Sequence, residues 1–132
     1  KQGRNTKVSH FTNIITQIKD LAALANACKE LGVELLQGGK ARGFAGNTRS
    51  GEAVIKLKGP YDIALNKQSE GNYELATDWW NGHVEKEVGT NFARLLQLYG
   101  VHKTMREARK KGYLASRKTL PNGAIKLTIG GV

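Results

Sequence analysis

The sequence predicts an α+β fold: an antiparallel sheet with a long N-terminal helix and a C-terminal helix pair packed on one face, completed by a closing β-hairpin. Three observations favour it. Apolar residues recur at helical spacing near the N-terminus, short runs rich in β-branched residues fill the middle, and two further helical patterns precede a Pro-Asn-Gly turn. The connections between the middle runs are too short for crossovers, which makes the sheet antiparallel.

The length of 132 residues fits one domain with a sizeable core. Residues 1–7 are polar and basic, and they predict a flexible basic arm ahead of a single α+β domain over residues 8–132. The arm has no hydrophobic stretch and is not a secretory signal. No apolar run approaches the roughly 18 residues of a membrane span, so no transmembrane segment is predicted.

The first helix is predicted over about Thr12 to Leu31. Ser9 is the N-cap candidate and Gly32 the C-cap candidate, and the apolar stripe between them consists of Ile14, Ile18, Leu21, Ala25 and Cys28. As the single cysteine, Cys28 excludes an internal disulfide and a multi-cysteine metal site, and its place on the stripe predicts a small core residue.

Short strands separated by glycine turns are predicted after Gly32. A Gly38-Gly39 turn separates the first two, and Gly59-Pro60 precedes the fourth. The predicted strands are Val33–Leu36, Ala41–Phe44, Ala53–Leu57, Tyr61–Leu65 and Tyr73–Thr77.

Two helices and a hairpin are predicted in the C-terminal part. Apolar spacing indicates a helix from Lys86 to Leu98, and Gly100 separates it from a short basic helix over His102–Lys111. Strands Tyr113–Thr119 and Ala124–Ile129 then form the closing hairpin.

The two tryptophans, Trp79 and Trp80, stand side by side after the last strand of the predicted sheet. Neighbouring side chains of a strand point to opposite faces, so one tryptophan is expected in the core and the other at the surface. An exposed tryptophan is a strong candidate for a docking anchor.

The net charge of +10 favours an anionic partner: RNA, an acidic protein face or an anionic membrane surface. A purely solubilising role for this charge is the alternative. Lys103, Arg106 and Lys110 recur at i, i+3 and i+7, which places them on one face of the basic helix. The other basic candidates for partner contact are those of the arm and of the glycine-rich stretch: Lys1, Arg4, Lys7, Lys40 and Arg42.

No catalytic, metal-binding or cofactor-binding residues are predicted. The glycine-rich stretch lacks the Gly-Lys-Ser/Thr of a phosphate loop, and the three histidines share no metal-ligand spacing. Asp62 and Asp78 offer the nearest approach to a carboxylate pair, but such residues are more often found at strand ends. We therefore expect a protein that is not an enzyme.

Several short motifs follow one another along the chain: Ser9-His10-Phe11, Arg42-Gly43-Phe44, Tyr61-Asp62-Ile63, Asp78-Trp79-Trp80, and His102-Lys103-Thr104 through Ala108-Arg109 to Gly112-Tyr113. Taken in this order, they resemble the hypothetical chloroplast reading frame thirty-five family of cyanobacteria and plastids. The likeness runs from about Val8 to Ile129. Family members begin with Met directly before Ser-His-Phe, whereas Val8 and seven preceding residues stand here. This departure suggests a nuclear gene whose transit peptide is removed upstream of Lys1.

The resemblance implies a plastid location, in the stroma or on the stromal face of the thylakoid, and supplies no activity. The first hypothesis is a non-catalytic accessory or assembly subunit of a photosynthetic complex, with photosystem I as the favoured partner. Such a protein would dock through its basic surface and one exposed tryptophan, and would meet the membrane through the complex. The alternative is an RNA- or ribosome-binding module of the plastid, supported by the charge and by Lys40, Arg42 and Phe44.

Overall fold

The computed structural model describes residues 10–131, which form a five-stranded antiparallel sheet, two main helices and a separate hairpin. The strands are β1 (Phe11–Ile15), β2 (Glu34–Arg42), β3 (Thr48–Lys56), β4 (Ile63–Lys67), β5 (Tyr73–Asp78), β6 (Leu114–Thr119) and β7 (Ile125–Gly130), and the helices are α1 (Leu21–Leu31), α2 (Glu85–Val88) and α3 (Ala93–Lys110). The predicted arm with Lys1, Arg4 and Lys7, and the predicted cap Ser9, lie outside the described residues.

The strand order of the sheet is β1-β5-β4-β3-β2, with every neighbouring pair antiparallel. One face of the sheet carries the main core, in which Ile55, Ile63 and Leu75 pack with Leu24 of α1 and Leu98 of α3. The predicted α+β class is therefore confirmed, with the helices on one face and a closing hairpin.

The prediction of a long first helix is wrong, because α1 has only 11 residues. The preceding segment, Phe11–Ile15, is instead an edge strand that pairs with β5. Its two isoleucines suit a pleated strand, and the helix starts only where Asp20 accepts a hydrogen bond from the Ala23 N–H at 3.0 Å. Gly32 is the C-cap, as predicted, with a left-handed φ of 77°.

The predicted turn at Gly38-Gly39 is also wrong, because both glycines lie inside β2. Their φ angles of 73° and 124° are open to glycine at little cost, and the strand continues through them. The pairing with β3 runs from Glu34 to Arg42. The predicted strand Val33–Leu36 and the first half of the predicted strand Ala41–Phe44 thus belong to one continuous strand.

The far end of the β2–β3 hairpin folds over the second face of the sheet. There Ala41 packs with Phe11, Val54, Ala64 and Ala76 in a small second core. Close approach depends on small residues, since a Cβ at Gly51 would lie 3.2 Å from the Cβ of Ala64. This fold brings the tip of the hairpin next to the end of β5.

The predicted C-terminal helix pair is replaced by a one-turn α2 and one long helix, α3, which runs through Gly100. Buried residues on both sides of the glycine, including Tyr99 and Val101, hold the helix in one piece. The β6–β7 hairpin packs beside it, where Arg117 pairs with Glu30 of α1 at 2.9 Å. Within residues 10–131, no helix is long and apolar enough to cross a membrane.

Candidate docking surface

The two tryptophans have different environments at the end of β5. Trp79 packs against Phe92 with 4.7 Å between ring centroids and joins the main core. Trp80 is 46% exposed. Because β5 ends at Asp78, this division arises from the turn that follows the strand and not from strand alternation.

Trp80 is the exposed member of a group of four rings, which we call the Trp80 surface: His10, Phe44, Trp80 and His83, of which the other three are half-buried. The centroid of the Phe44 ring lies 4.7 Å from that of Trp80 and 4.9 Å from that of His10. The ring centroids of His83 and Trp80 are 6.4 Å apart. Ring pairs at these separations attract one another beyond the area they bury. The fold thus collects four rings from three separate parts of the chain.

The carboxylate of Asp78 binds the backbone of the two loops that carry Phe44 and Trp80. Asp78 is fully buried, its Oδ2 accepts the Phe44 N–H at 2.8 Å, and its Oδ1 accepts the Trp80 N–H at 2.9 Å. Charge-assisted hydrogen bonds of this kind are about twice as strong as neutral ones. Phe44 and Trp80 are therefore positioned before any partner arrives.

Backbone conformation at the same two loops is unusual. Ala45, directly after Phe44, has a φ of 55°, and Asn81, directly after Trp80, has a φ of 60°. Left-handed conformations of residues other than glycine are concentrated at functional sites. Gly43 adds a second constraint, because a Cβ there would lie 2.6 Å from the ring of Phe11. Both loops therefore have a left-handed residue directly after the aromatic one, and the Phe44 loop also approaches Phe11 closely at Gly43.

Arg42, predicted to contact a partner, is engaged within the protein. Its Nε and Nη2 donate to the Oδ2 and Oδ1 of Asp62 at 2.7 and 2.8 Å, and Nη2 also donates to the Gly59 carbonyl at 3.0 Å. Burial of Asp62 opposes its ionisation, but the hydrogen bonds from Arg42 and from the Leu57 N–H outweigh burial and lower the pKa of Asp62. Arg42 therefore connects the end of β2 to the residue that precedes β4.

Asp62 and Asp78 serve different structural partners. Asp62 accepts from Arg42 and Leu57, and Asp78 accepts from Phe44 and Trp80. Both carboxylates are thus occupied at strand ends, in line with the structural interpretation of the sequence. Across residues 10–131, no group of three or more His, Cys, Asp or Glu residues is placed to hold a metal ion.

The predicted cationic stripe on the basic helix is interrupted. Arg106 pairs with Asp20 at 3.1 Å and Lys103 with Glu107 at 3.0 Å, whereas Lys110 is exposed. Lys40 is also exposed, on β2. Two of the three helix cations are therefore already matched by carboxylates.

The structure separates the tryptophan from the helix cations. Trp79 packs on Phe92 at the beginning of α3, and Lys110 is its last residue. A helix of 18 residues spans about 27 Å. The Trp80 surface and the basic end of α3 are therefore two surfaces and not one.

Sequence reasoning identified the tryptophans and missed the part played by Phe44, His10 and His83 in their surroundings. Phe44 is 34 residues from Asp78 along the chain, and only the folded-over hairpin brings the two together. The available signal was the acidic residue before the tryptophan pair, because an aspartate at a strand end often accepts from nearby backbone amides.

The family comparison gives one match: the model of a protein family of unknown function, DUF1257, matches residues 27–128. The matched span includes Phe44, Asp78, Trp80 and His83. No curated protein and no solved structure matches the chain. Since the match covers most of the sequence, the chain belongs to the DUF1257 family.

Proposed function

We propose that this protein is a non-catalytic accessory or assembly subunit that docks on a larger protein complex through the Trp80 surface. The observation that carries the proposal is a 46% exposed tryptophan held in place by a fully buried aspartate. Tryptophan is enriched among residues that dominate binding energy. A positioned anchor also loses little conformational entropy when a partner binds.

The character of the Trp80 surface favours a protein partner. Its rings combine apolar area with the imidazoles of His10 and His83, and interface cores are enriched in aromatic side chains. The guanidinium of Arg42, two residues before Phe44, is already matched by Asp62. Recognition here therefore rests on shape and apolar contact more than on net charge.

The cellular setting of the proposal comes from the sequence resemblance to the plastid and cyanobacterial family. On that basis the partner is a photosynthetic complex, with photosystem I as the favoured one, approached from the stromal side of the thylakoid. Membership of DUF1257 is compatible with this setting and does not specify it.

RNA is the second candidate, because Trp80 is exposed beside Phe44 on a protein of net charge +10. Bases stack on exposed aromatic side chains, and phosphates pair with nearby cations. An RNA-binding role predicts a steep loss of affinity as salt concentration rises. Protein docking through apolar rings predicts a much weaker dependence on salt.

The test is capture of partners from plastid extract by the tagged protein, with and without nuclease, read by quantitative mass spectrometry. Replacing Trp80 by Ala should lower the recovery of photosynthetic subunits at least tenfold, because the loss of such an anchor costs about 2 kcal/mol or more. Recovery by the unaltered protein should survive nuclease treatment.

Leu36→Ala is the matched control, since Leu36 is another exposed apolar residue on a different part of the sheet. It should leave recovery unchanged, and circular dichroism should show that both variants are folded. Equal recovery by the Trp80→Ala variant would reject the docking role of this surface. Recovery of ribosomal or RNA-processing proteins that nuclease abolishes would favour the RNA alternative.

A further inference from the structure

The first strand, β1, leaves one edge of the sheet open. Within residues 10–131 it pairs with β5 alone. Just beyond the strand, the Thr16 backbone N–H donates to the Tyr73 carbonyl of β5 at 3.2 Å. Because backbone groups alternate in direction along an antiparallel strand, Ile14 faces β5, whereas the N–H and C=O groups of Asn13 and Ile15 face outward. No backbone hydrogen bond in the described part of the chain reaches these outward groups, which form a short unpaired ladder.

This edge lacks the features that commonly block strand pairing, which are charged side chains, proline or a covering loop. The sequence of β1 is Phe-Thr-Asn-Ile-Ile, with neither a charged residue nor a proline. Its Asn13 side chain is turned toward the sheet, where it bonds to Glu74 of β5 at 3.0 Å and to Arg49 of β3 at 3.1 Å. The opposite edge strand, β2, carries the exposed charges of Glu34 and Lys40. Of the two edges, β1 is therefore the one that is open to another strand.

Apolar side chains flank the open edge on both faces of the sheet. Ile15 is 66% exposed, and Ile14, on the opposite face, packs against the main core. Beside Ile14, an apolar depression of ≈ 360 Å³ lies between the strand and α3, with Leu96 and Tyr99 in its wall. A strand added at this edge would cover Ile15 on one face and enter the depression on the other.

The chemistry of the open edge selects an extended polypeptide as its partner. Outward N–H and C=O groups at the spacing of a strand are matched by the backbone of another strand, which is the basis of recognition by strand addition. A helix satisfies its own backbone groups, and nucleic acid or lipid carries no comparable ladder. The two isoleucines further require an incoming strand that is apolar and uncharged at its centre.

The strand β1 itself has these properties. In an antiparallel arrangement about a twofold axis, Ile14 lies opposite Ile14 of the second copy, and Asn13 lies opposite Ile15 of the second copy. The outward groups of both strands then meet and exchange hydrogen bonds. The isoleucines of the two copies come together on both faces, directly for Ile14 and diagonally for Ile15. No like charges face each other within the strands, because β1 has no charged residue.

We propose that this protein forms a reversible homodimer in which the β1 strands of two copies pair antiparallel and join two five-stranded sheets into one continuous sheet. The contact is isologous, since each copy supplies the same edge. A strand of five residues buries little area, so the dimer exchanges with the monomer. The paired residues, Asn13 to Ile15, lie outside the Trp80 surface.

Sedimentation equilibrium of the whole chain, at concentrations from about 1 µM to about 1 mM, measures the dimer. The unaltered protein should pass from monomer to dimer over this range. Ile15→Pro should raise the dissociation constant about thirtyfold or more, because each copy loses one outward donor as well as an exposed isoleucine. Proline is tolerated at this edge position, since the N–H that it removes faces away from β5. Circular dichroism should show the fold unchanged.

Two further variants separate the contact from the backbone change. Ile15→Lys keeps the backbone donor and places a charge at the edge, so it should also weaken the dimer. Leu36→Lys is the matched control, because it adds the same charge at an exposed apolar residue of the opposite edge strand. It should dimerise like the unaltered protein.

A cysteine on the twofold axis tests the register. Directly opposed residues of a non-hydrogen-bonded pair have Cα atoms about 4.5 Å apart, which is within the range of a disulfide. Ile14→Cys should therefore give a disulfide-linked dimer on mild oxidation with diamide, and Leu36→Cys should not. The native Cys28 does not compete, because it is buried.

A protein that is monomeric at every concentration would overturn the proposal. So would a dimer that both Ile15 variants leave intact, or an Ile14→Cys protein that forms no disulfide-linked dimer. A monomer whose Ile15→Pro variant recovers fewer photosynthetic subunits from plastid extract would instead assign the edge to an extended segment of a partner protein.

Discussion

At the scale of single residues, Asp78 is the connection between the fold and the Trp80 surface. Its buried carboxylate accepts one backbone N–H from the hairpin tip and one from the turn after β5. Two loops that are distant in sequence therefore share one acceptor. The arrangement links the stability of the sheet end to the positions of Phe44 and Trp80.

Replacing Asp78 by Ala should lower the free energy of unfolding by about 2 to 4 kcal/mol, because two backbone donors lose their acceptor. Urea denaturation followed by tryptophan fluorescence measures the change. Asp78→Asn keeps one acceptor oxygen, so its free energy of unfolding should lie between those of Asp78→Ala and the unaltered protein. Glu70→Ala, at an exposed turn, is the control and should be neutral. An Asp78→Ala protein as stable as the original would contradict this account of the loops.

Residue-level prediction from the sequence succeeded where neighbours along the chain decide the environment. Gly32 as the C-cap and Cys28 in the core follow from local spacing, and desolvation of the buried thiol raises the pKa of Cys28 to about 12. The engagement of Arg42 and Arg106 could not be predicted, because Asp62 and Asp20 reach them only through tertiary structure.

At the scale of elements, α3 shows why a glycine was misinterpreted. Gly100 is a weak helix former, and the sequence pattern suggested a break there. In the structure the position is exposed, and a Cβ added to it would meet nothing within 4 Å. Burial of neighbours such as Leu98 and Val101 outweighs the local preference of the glycine. Tertiary packing, and not propensity, sets the length of this helix.

Gly100→Ala should therefore raise the free energy of unfolding by about 0.5 to 1 kcal/mol, since alanine has less backbone freedom to lose in a helix. Thermal or urea denaturation gives the value. Gly89→Ala is the contrasting variant, because Gly89 has a φ of 86° and a Cβ there would lie 2.7 Å from the backbone nitrogen of Arg94. It should be destabilising. A loss of stability in Gly100→Ala would show that the helix is kinked or interrupted at this point.

The final hairpin is attached to the helices by a charged cluster on α1. The two carboxylate oxygens of Glu30 accept hydrogen bonds from Nη1 and Nη2 of Arg117, each at 2.9 Å. Its Oε1 also lies 2.8 Å from His102 Nε2. The hydrogen bond from Arg117, together with His102, lowers the pKa of Glu30 to about 2. The cluster therefore connects β6 to both α1 and α3.

The lowered pKa of Glu30 makes attachment of the hairpin sensitive to acid. The contribution is complete above the usual carboxyl value of 4.5 and disappears as the pH falls through the folded value near 2. Glu30→Gln should therefore be less stable than the original protein at pH 5, and the difference should shrink by pH 2.5. Paired denaturation curves over this range measure it. A difference that stays constant with pH would rule out the ion pair as its source.

At the scale of the whole molecule, the Trp80 surface and the basic end of α3 lie apart. The Trp80 surface adjoins the beginning of the helix, where Trp79 packs on Phe92, and Lys110 is the last residue of the helix, about 27 Å away. Substitutions at Trp80 and at Lys110 therefore alter two separate parts of the molecular surface.

The overall class was predictable, and the path of the chain at both ends of the sheet was not. Strand alternation and short connections predict the antiparallel sheet. In that sheet the β-branched residues Val54 and Ile55 pair with Ala64 and Ile63. Most of the edge strand Phe11–Ile15 falls within the predicted first helix, because Ile14 also fits a helical stripe with Ile18 and Leu21. A five-residue strand is too short for periodicity to distinguish the two structures.

The most direct test of the central claim is the affinity of the protein for thylakoid membranes, measured by co-sedimentation with intact membranes and with membranes stripped of surface protein by protease. We expect Trp80→Ala to weaken binding to intact membranes at least tenfold, down to the level that both proteins show on stripped membranes. Thermal stability should be unchanged. If Trp80→Ala binds intact membranes as tightly as the unaltered protein, the Trp80 surface is not a docking site.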